Sequence, residues 1–218
     1  MNQGGVLRTK GIAAQIVADK IRSLFDKKGF AFFDGAKAFN LNIVGIRSPI
    51  SDANDFDDRM IVVYRDDALE WVCDAFVITT DPGKKYLNRP INVAGAAILC
   101  PGQYRGVYEI AKHRGQYDAL CQRGGKVKVW RDNNKDDTLD HDVDVDDGWF
   151  GINIHRAHPL RELEKVNGYS AGCQVFSSPS QFRDFMQLAK RSEHIFGNSF
   201  TYTLIDLADL VPPAGEIA

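Results

Sequence analysis

The chain has 218 residues, with 27 Lys and Arg against 29 Asp and Glu, for a formal charge of −2. Hydrophobic residues are 44% and charged residues 26%, a balance that excludes a disordered chain and suits one domain, or one domain with a small extension. There is no global basic field, so nucleic acid is not an expected partner, and the longest apolar run, Val93 to Cys100, is too short to cross a bilayer.

Residues 11–28 read as an amphipathic helix. Ala13, Ile16, Val17, Ile21, Leu24 and Phe25 recur at helical spacing, and Gly29 is a stop. Residues 1–40 carry seven Lys or Arg against three Asp, and they are expected to form a helical extension. Residues 41–218 are expected to hold the main domain. Strand patterns follow at 41–46, 60–64, 69–79, 94–99, 106–111, 127–130, 148–155 and 200–206, separated by Gly, Pro, Asn and Asp. Late in the chain, Ser178-Pro179-Ser180-Gln181 predicts a capped helix start, with Phe182, Phe185, Met186 and Ala189 on one face. The expected class is mainly β (α+β), with helices at the ends.

Eight aspartates crowd residues 132–147, Asp142 among them. Asp132, Asn134 and Asp136 have the oxygen spacing of a calcium loop. The rest of the pattern fails, because Asp137 stands where an EF-hand needs Gly and Val143 where it needs Glu. The two readings left are a solvated loop and an irregular cation site.

Four cysteines, at 73, 100, 121 and 173, are too far apart in sequence for a CxxC pair. The first three read as small buried hydrophobes. Cys173 differs, because Ser170-Ala171-Gly172-Cys173 follows, after fourteen residues, an apolar strand that ends at His155. A free thiol has a pKa of about 8.5, so a cysteine nucleophile needs a base, and it needs N–H donors for the developing oxyanion. His155 is the candidate base, and Gly172 permits the tight turn that presents the sulfur, with the amides of Gly172 and Cys173 as donors. His155-x-x-His158 with Cys173 is a formal zinc set, but the pair follows a strand and Pro159 restricts His158. His113 and His141 have no partner legible in the sequence.

This segment resembles the catalytic domain of the L,D-transpeptidase (YkuD-type) family, in which a strand-end His precedes Ser/Thr-His-Gly-Cys at this spacing. The resemblance implies a mixed β-sandwich and places His155 as base, Cys173 as nucleophile and Ser170, at the Ser/Thr position, as a substrate-binding candidate. Pro101-Gly102-Gln103-Tyr104 is similar to the family's turn before a strand, which makes Tyr104 a substrate-side candidate. Four positions depart from the pattern. Ala171 replaces a second His, Arg156 replaces Gly, and Gln174-Val175 stands where an Arg is expected to hold a substrate carboxylate. Arg156 becomes a substrate-binding candidate, since a guanidinium reads carboxylates well, and Gln174 is a second. The resemblance implies a cofactor-free cysteine peptidase or transpeptidase that acts on peptidoglycan stem peptides through a thioester. The first twenty residues lack the apolar core of a secretion signal. That leads to an expectation of synthesis in the cytoplasm, delivery to the wall by another route, and hydrolysis of the endolysin or effector kind. A catalytically idle wall-binding or phage structural module is the other expectation, motivated by Ala171.

Overall fold

The computed structural model describes residues 5–49, 53–141 and 143–211; Asp142 lies outside them. The first expected helix forms as α1, Ile12–Lys28, and stops where Gly29 turns left-handed at φ 69. It buries Ala14, Ala18, Ile21 and Phe25. Ahead of it, β1 (Leu7–Lys10) pairs antiparallel with β4 (Trp71–Thr79) and fastens the N-terminal segment to the sheet. The described part of the expected extension, residues 5–40, thus holds a helix preceded by a strand that the sequence pattern did not indicate.

Most of the expected strands are present. They are β2 (Asn42–Arg47), β3 (Asp58–Arg65), β4, β5 (Ala96–Leu99), β6 (Gly102–His113), β8 (Val127–Asp132) and β12 (Phe200–Asp206). Two more, β7 (Tyr117–Gln122) and β11 (Gln174–Phe176), carry little period-2 signal, and a short helix α2 (Lys84–Asn88) follows β4. The expected strand 148–155 is broken into β9 (Val145–Gly148) and β10 (Ile154–Arg156). The cause is Gln122, whose Oε1 accepts from the amides of Phe150, Gly151 and Ile152 at 3.2, 2.9 and 3.1 Å. Three N–H groups that would feed a ladder converge on one side chain, and Gly151 turns at φ 71.

The main sheet runs β1-β4-β11-β10-β7-β6-β12-β2-β3, and β3 pairs back onto β4, so eight strands close into a barrel with β1 as an added strand. The fold is mainly β as expected, but these pairings make a closed ring and not two facing sheets. Two pairings, β10–β11 and β12–β2, are parallel. A separate antiparallel sheet, β5-β8-β9, lies against it.

Alternation divides the strands between two cores. Val72 joins the main core, whereas Trp71 and Cys73 pack with Ala14, Ala18 and Val63 under α1. Val44 and Ile205 meet Ile21 and Phe25 in the same way. Helix α3 (Pro179–Phe196) sends Phe182, Phe185, Met186 and Ala189 into the main core beside Phe76 and Phe176. Its expected capping box is not formed. Ser178 Oγ pairs with Ser180 Oγ, and Gln181 Oε1 accepts the Val77 amide at 2.9 Å, which ties α3 to β4 instead. Among the described residues no helix is long and apolar enough to cross a membrane.

Candidate active site

Parallel pairing of β10 with β11 sets Ile154 beside Gln174 and His155 beside Val175. Ile152, Ile154 and Phe176 belong to the main core. By the two-residue period, Asn153, His155, Cys173 and Val175 then share the opposite face, with Cys173 and His155 as diagonal neighbours. Local backbone explains why the loop before β11 takes its shape. Gly172 sits at φ 118, and a Cβ there would lie 2.1 Å from the Ala97 carbonyl oxygen of β5. Only glycine permits the loop to lie this close to the small sheet.

Ser170 closes the loop from within. It is fully buried, its Oγ accepts the Gly172 amide at 3.1 Å, and it donates to the Cys173 carbonyl at 2.8 Å. Ser170 is therefore a structural staple and not a substrate contact. The same bond takes the Gly172 N–H, which corrects the expectation that this amide serves an oxyanion; the Cys173 N–H is the donor left beside the sulfur.

The other substrate-side candidates are also corrected. Gln174 is fully buried; its amide donates to the Thr80 and Gly172 carbonyls and its Oε1 accepts from Tyr202 Oη at 2.7 Å. Tyr104 is buried and donates to the Cys100 carbonyl at 2.6 Å, so it ties the barrel to the small sheet. Gly102 and Tyr104 both lie inside β6, not in a turn before it. Arg156 stacks its guanidinium 4.0 Å over the Tyr117 ring and lines a cavity with His155, apart from the Cys173 cleft.

No disulfide joins the four cysteines; Cys73, Cys100 and Cys121 are buried, and Cys173 is partly accessible. Cys173 lies in a cleft of about 400 Å³ together with His113, Asn153, Arg114, Arg131 and Trp149. Its Sγ accepts the Asn153 amide at 3.4 Å and faces the Gly151 carbonyl at 3.5 Å. Burial pushes the thiol up to about 11, with the Asn153 amide opposing.

His155 is buried, and its Nδ1 lies 2.8 Å from the Arg156 carbonyl. A carbonyl only accepts, so the proton of the neutral ring is on Nδ1 and Nε2 keeps its lone pair. Burial, then the neighbouring His113, lowers its pKa to about 3. His113, at the end of β6, stacks on His155 with ring centroids 4.2 Å apart, and its Nδ1 lies 3.2 Å from Asn153 Nδ2. Sequence spacing did not reveal this second imidazole. The one available signal was a histidine at a strand end beside an Arg114-Gly115 turn. Arg114 holds φ 50 in that turn and borders both cavities, and no ion pair engages it among the described residues.

The metal candidates are not assembled. Asp132 accepts the Asp140 amide, Asn134 Nδ2 donates to Asp140, and Asp136 Oδ1 accepts the Thr138 amide. His158 Nδ1 accepts the Leu160 and Arg161 amides at 3.1 and 3.2 Å, which removes one nitrogen from the zinc set. His141 packs against Trp130. Among the described residues no three His, Cys, Asp or Glu side chains converge as a metal site. Comparison with family models, with curated proteins and with solved structures returns no match for this chain.

Proposed function

We propose that the chain is a cysteine-dependent acyl-transfer enzyme of the L,D-transpeptidase kind. It would cleave peptidoglycan stem peptides at the diamino acid through a thioester, chiefly by hydrolysis. What supports this reading is Cys173 in a cleft and, on the diagonal of the same strand pair, His155, whose Nε2 retains its lone pair. The L,D specificity and the peptidoglycan substrate come from the sequence resemblance.

The starting state is a thiol and a neutral imidazole, since burial favours the uncharged form of each. Turning Sγ from the Gly151 carbonyl toward His155 Nε2 lets the proton move as sulfur adds to the substrate carbonyl. The C–S bond forms, the carbonyl π pair moves to oxygen, and the Cys173 N–H receives the oxyanion. On collapse the C–N bond breaks and imidazolium returns its proton to the leaving amine. Water, deprotonated by His155, then splits the thioester to a carboxylic acid and the thiol. Transpeptidation differs only in that an amine replaces water. Arg114, which lines the cleft, offers a guanidinium to a substrate carboxylate, the task the sequence reading gives to Arg156.

Incubation with muropeptides that contain meso-diaminopimelate, read by mass spectrometry, tests the assignment. Loss of a D-residue or of a cross-link with the unaltered chain, and none with Cys173→Ala, supports it. Equal products from both proteins would remove Cys173 from the chemistry. Products joined from two peptides would make the chain a transpeptidase.

A further inference from the structure

The loop beside Cys173 is short of donors for an oxyanion. Ala171 has no polar side chain, and the Gly172 amide is held by Ser170 Oγ. His113 lines the same cleft. Its hydrogen-bonding state follows from its neighbours. The Gln122 amide, which can only donate, lies 2.9 Å from Asn153 Oδ1, so the Asn153 carboxamide must present Nδ2 to His113. That Nδ2 lies 3.2 Å from His113 Nδ1. Nδ1 therefore accepts, and the single proton of the neutral ring sits on Nε2. Stacking on His155 at an interplanar angle of 21°, with Tyr117 tilted 5.5 Å away, fixes the ring plane. Burial and the adjacent Arg114 lower its pKa to about 4, so the ring stays neutral at pH 7.

The two stacked imidazoles are thus opposite tautomers. His155 offers a lone pair at Nε2, and His113 offers a proton there. We propose that His113 is a catalytic residue of this site, one whose Nε2–H donates a hydrogen bond to the oxyanion formed when Cys173 adds to the acyl carbonyl. The inference rests on the reading of the cleft as an acyl-transfer site. As the Sγ–C bond forms, the carbonyl pair goes to oxygen, and His113 stabilises that charge without giving up its proton. Its Nδ1 lone pair is already engaged by Asn153, so His155 remains the proton acceptor. A neutral imidazole polarising a developing oxyanion is a known electrostatic device.

The test compares the unaltered chain, His113→Ala and His113→Gln, measuring muropeptide turnover and the rate of Cys173 alkylation by iodoacetamide. Alkylation forms no oxyanion. The expected result is a fall in kcat of about 10²–10³-fold for His113→Ala with little change in KM. His113→Gln, which keeps an N–H and folds around a similar volume, should recover at least about tenfold of that loss, with alkylation unchanged in both. Turnover by His113→Ala at the unaltered rate would overturn the inference and leave the acyl-transfer reading standing. So would a fall in alkylation that matched the fall in kcat in both variants, since that marks a proton acceptor. Absence of turnover by the unaltered chain would overturn the reading, and the inference with it.

Discussion

Residues 132–147 and 148–176 adjoin in the chain, and both are dense in groups able to do chemistry. They differ in what their groups are bound to. In the acidic stretch Asp132, Asp136, Asp137 and Asp146 are engaged by backbone amides or nearby cations. Asp136 caps Thr138, Asp132 caps Asp140, Asp137 pairs with Lys84 at 3.0 Å, and Asp146 pairs with Arg131 at 3.0 Å. In the second stretch Ser170 and Gln174, with Gln122 of β7, hold backbone in place, and the Cys173 thiol is left facing a cleft that His113 also lines. A site is marked by reactive groups that the fold holds without consuming, not by the density of polar residues.

That contrast can be broken most severely at Gly172. Gly172→Ala puts a methyl group 2.1 Å from the Ala97 carbonyl at a φ that side chains rarely adopt. We expect a loss of about 2–4 kcal/mol in stability and displacement of the loop, seen in denaturant unfolding and in turnover. Unfolding at the unaltered midpoint would show that the close approach of loop and small sheet is wrong.

The histidine pair gives a smaller effect with a defined sign. His113 and His155 titrate in the folded state at about 4 and about 3, below the ordinary histidine value. An unfolded chain takes up protons near about pH 6.5 that the native chain refuses. Their stabilising contribution is therefore complete above about pH 6.5 and is lost as pH falls toward the folded values. Asp58 opposes this, since burial and Asp81 push it up to about 7, which favours the native state as pH falls from 7. The measurable quantity is then the difference between the unaltered chain and His113→Gln. Between about pH 7.5 and 5.5 the unaltered chain should lose about 1 kcal/mol more than the variant. Parallel curves would show that His113 is solvated.

The smallest effect is expected from Asp136→Asn. It keeps an acceptor for the Thr138 amide, and it should leave turnover within about twofold and Tm within about 2 °C. A chelator should do nothing further. Calcium-dependent stabilisation lost in this variant would turn the acidic loop back into a cation site.

Much of the fold was legible because it depends on local pattern. α1 and α3 show helical spacing and clear stops, and the long strands β3 and β4 are dense in Val, Ile and aromatic residues. Closure of the sheet was not, since it depends on β11 and β10, three residues each, whose pairings with β4 and β7 join segments far apart in sequence. At the site, spacing singled out His155 and Cys173 as candidates. It could not tell which neighbours face the cleft, so Ser170, Gln174 and Tyr104 were assigned to substrate although all three are buried. His113 was hidden for the converse reason, because its link to Asn153 and His155 exists only after β6, β7 and β10 have assembled.

The central claim is that Cys173 becomes acylated. The direct measurement is intact-mass spectrometry of the protein after brief mixing with a muropeptide and acid quench, followed by peptide mapping. The account predicts an adduct with the mass of the acyl fragment, located on Cys173, labile to hydroxylamine and absent from Cys173→Ala. Turnover of the muropeptide with no adduct on Cys173, or an adduct that survives in Cys173→Ala, would contradict it.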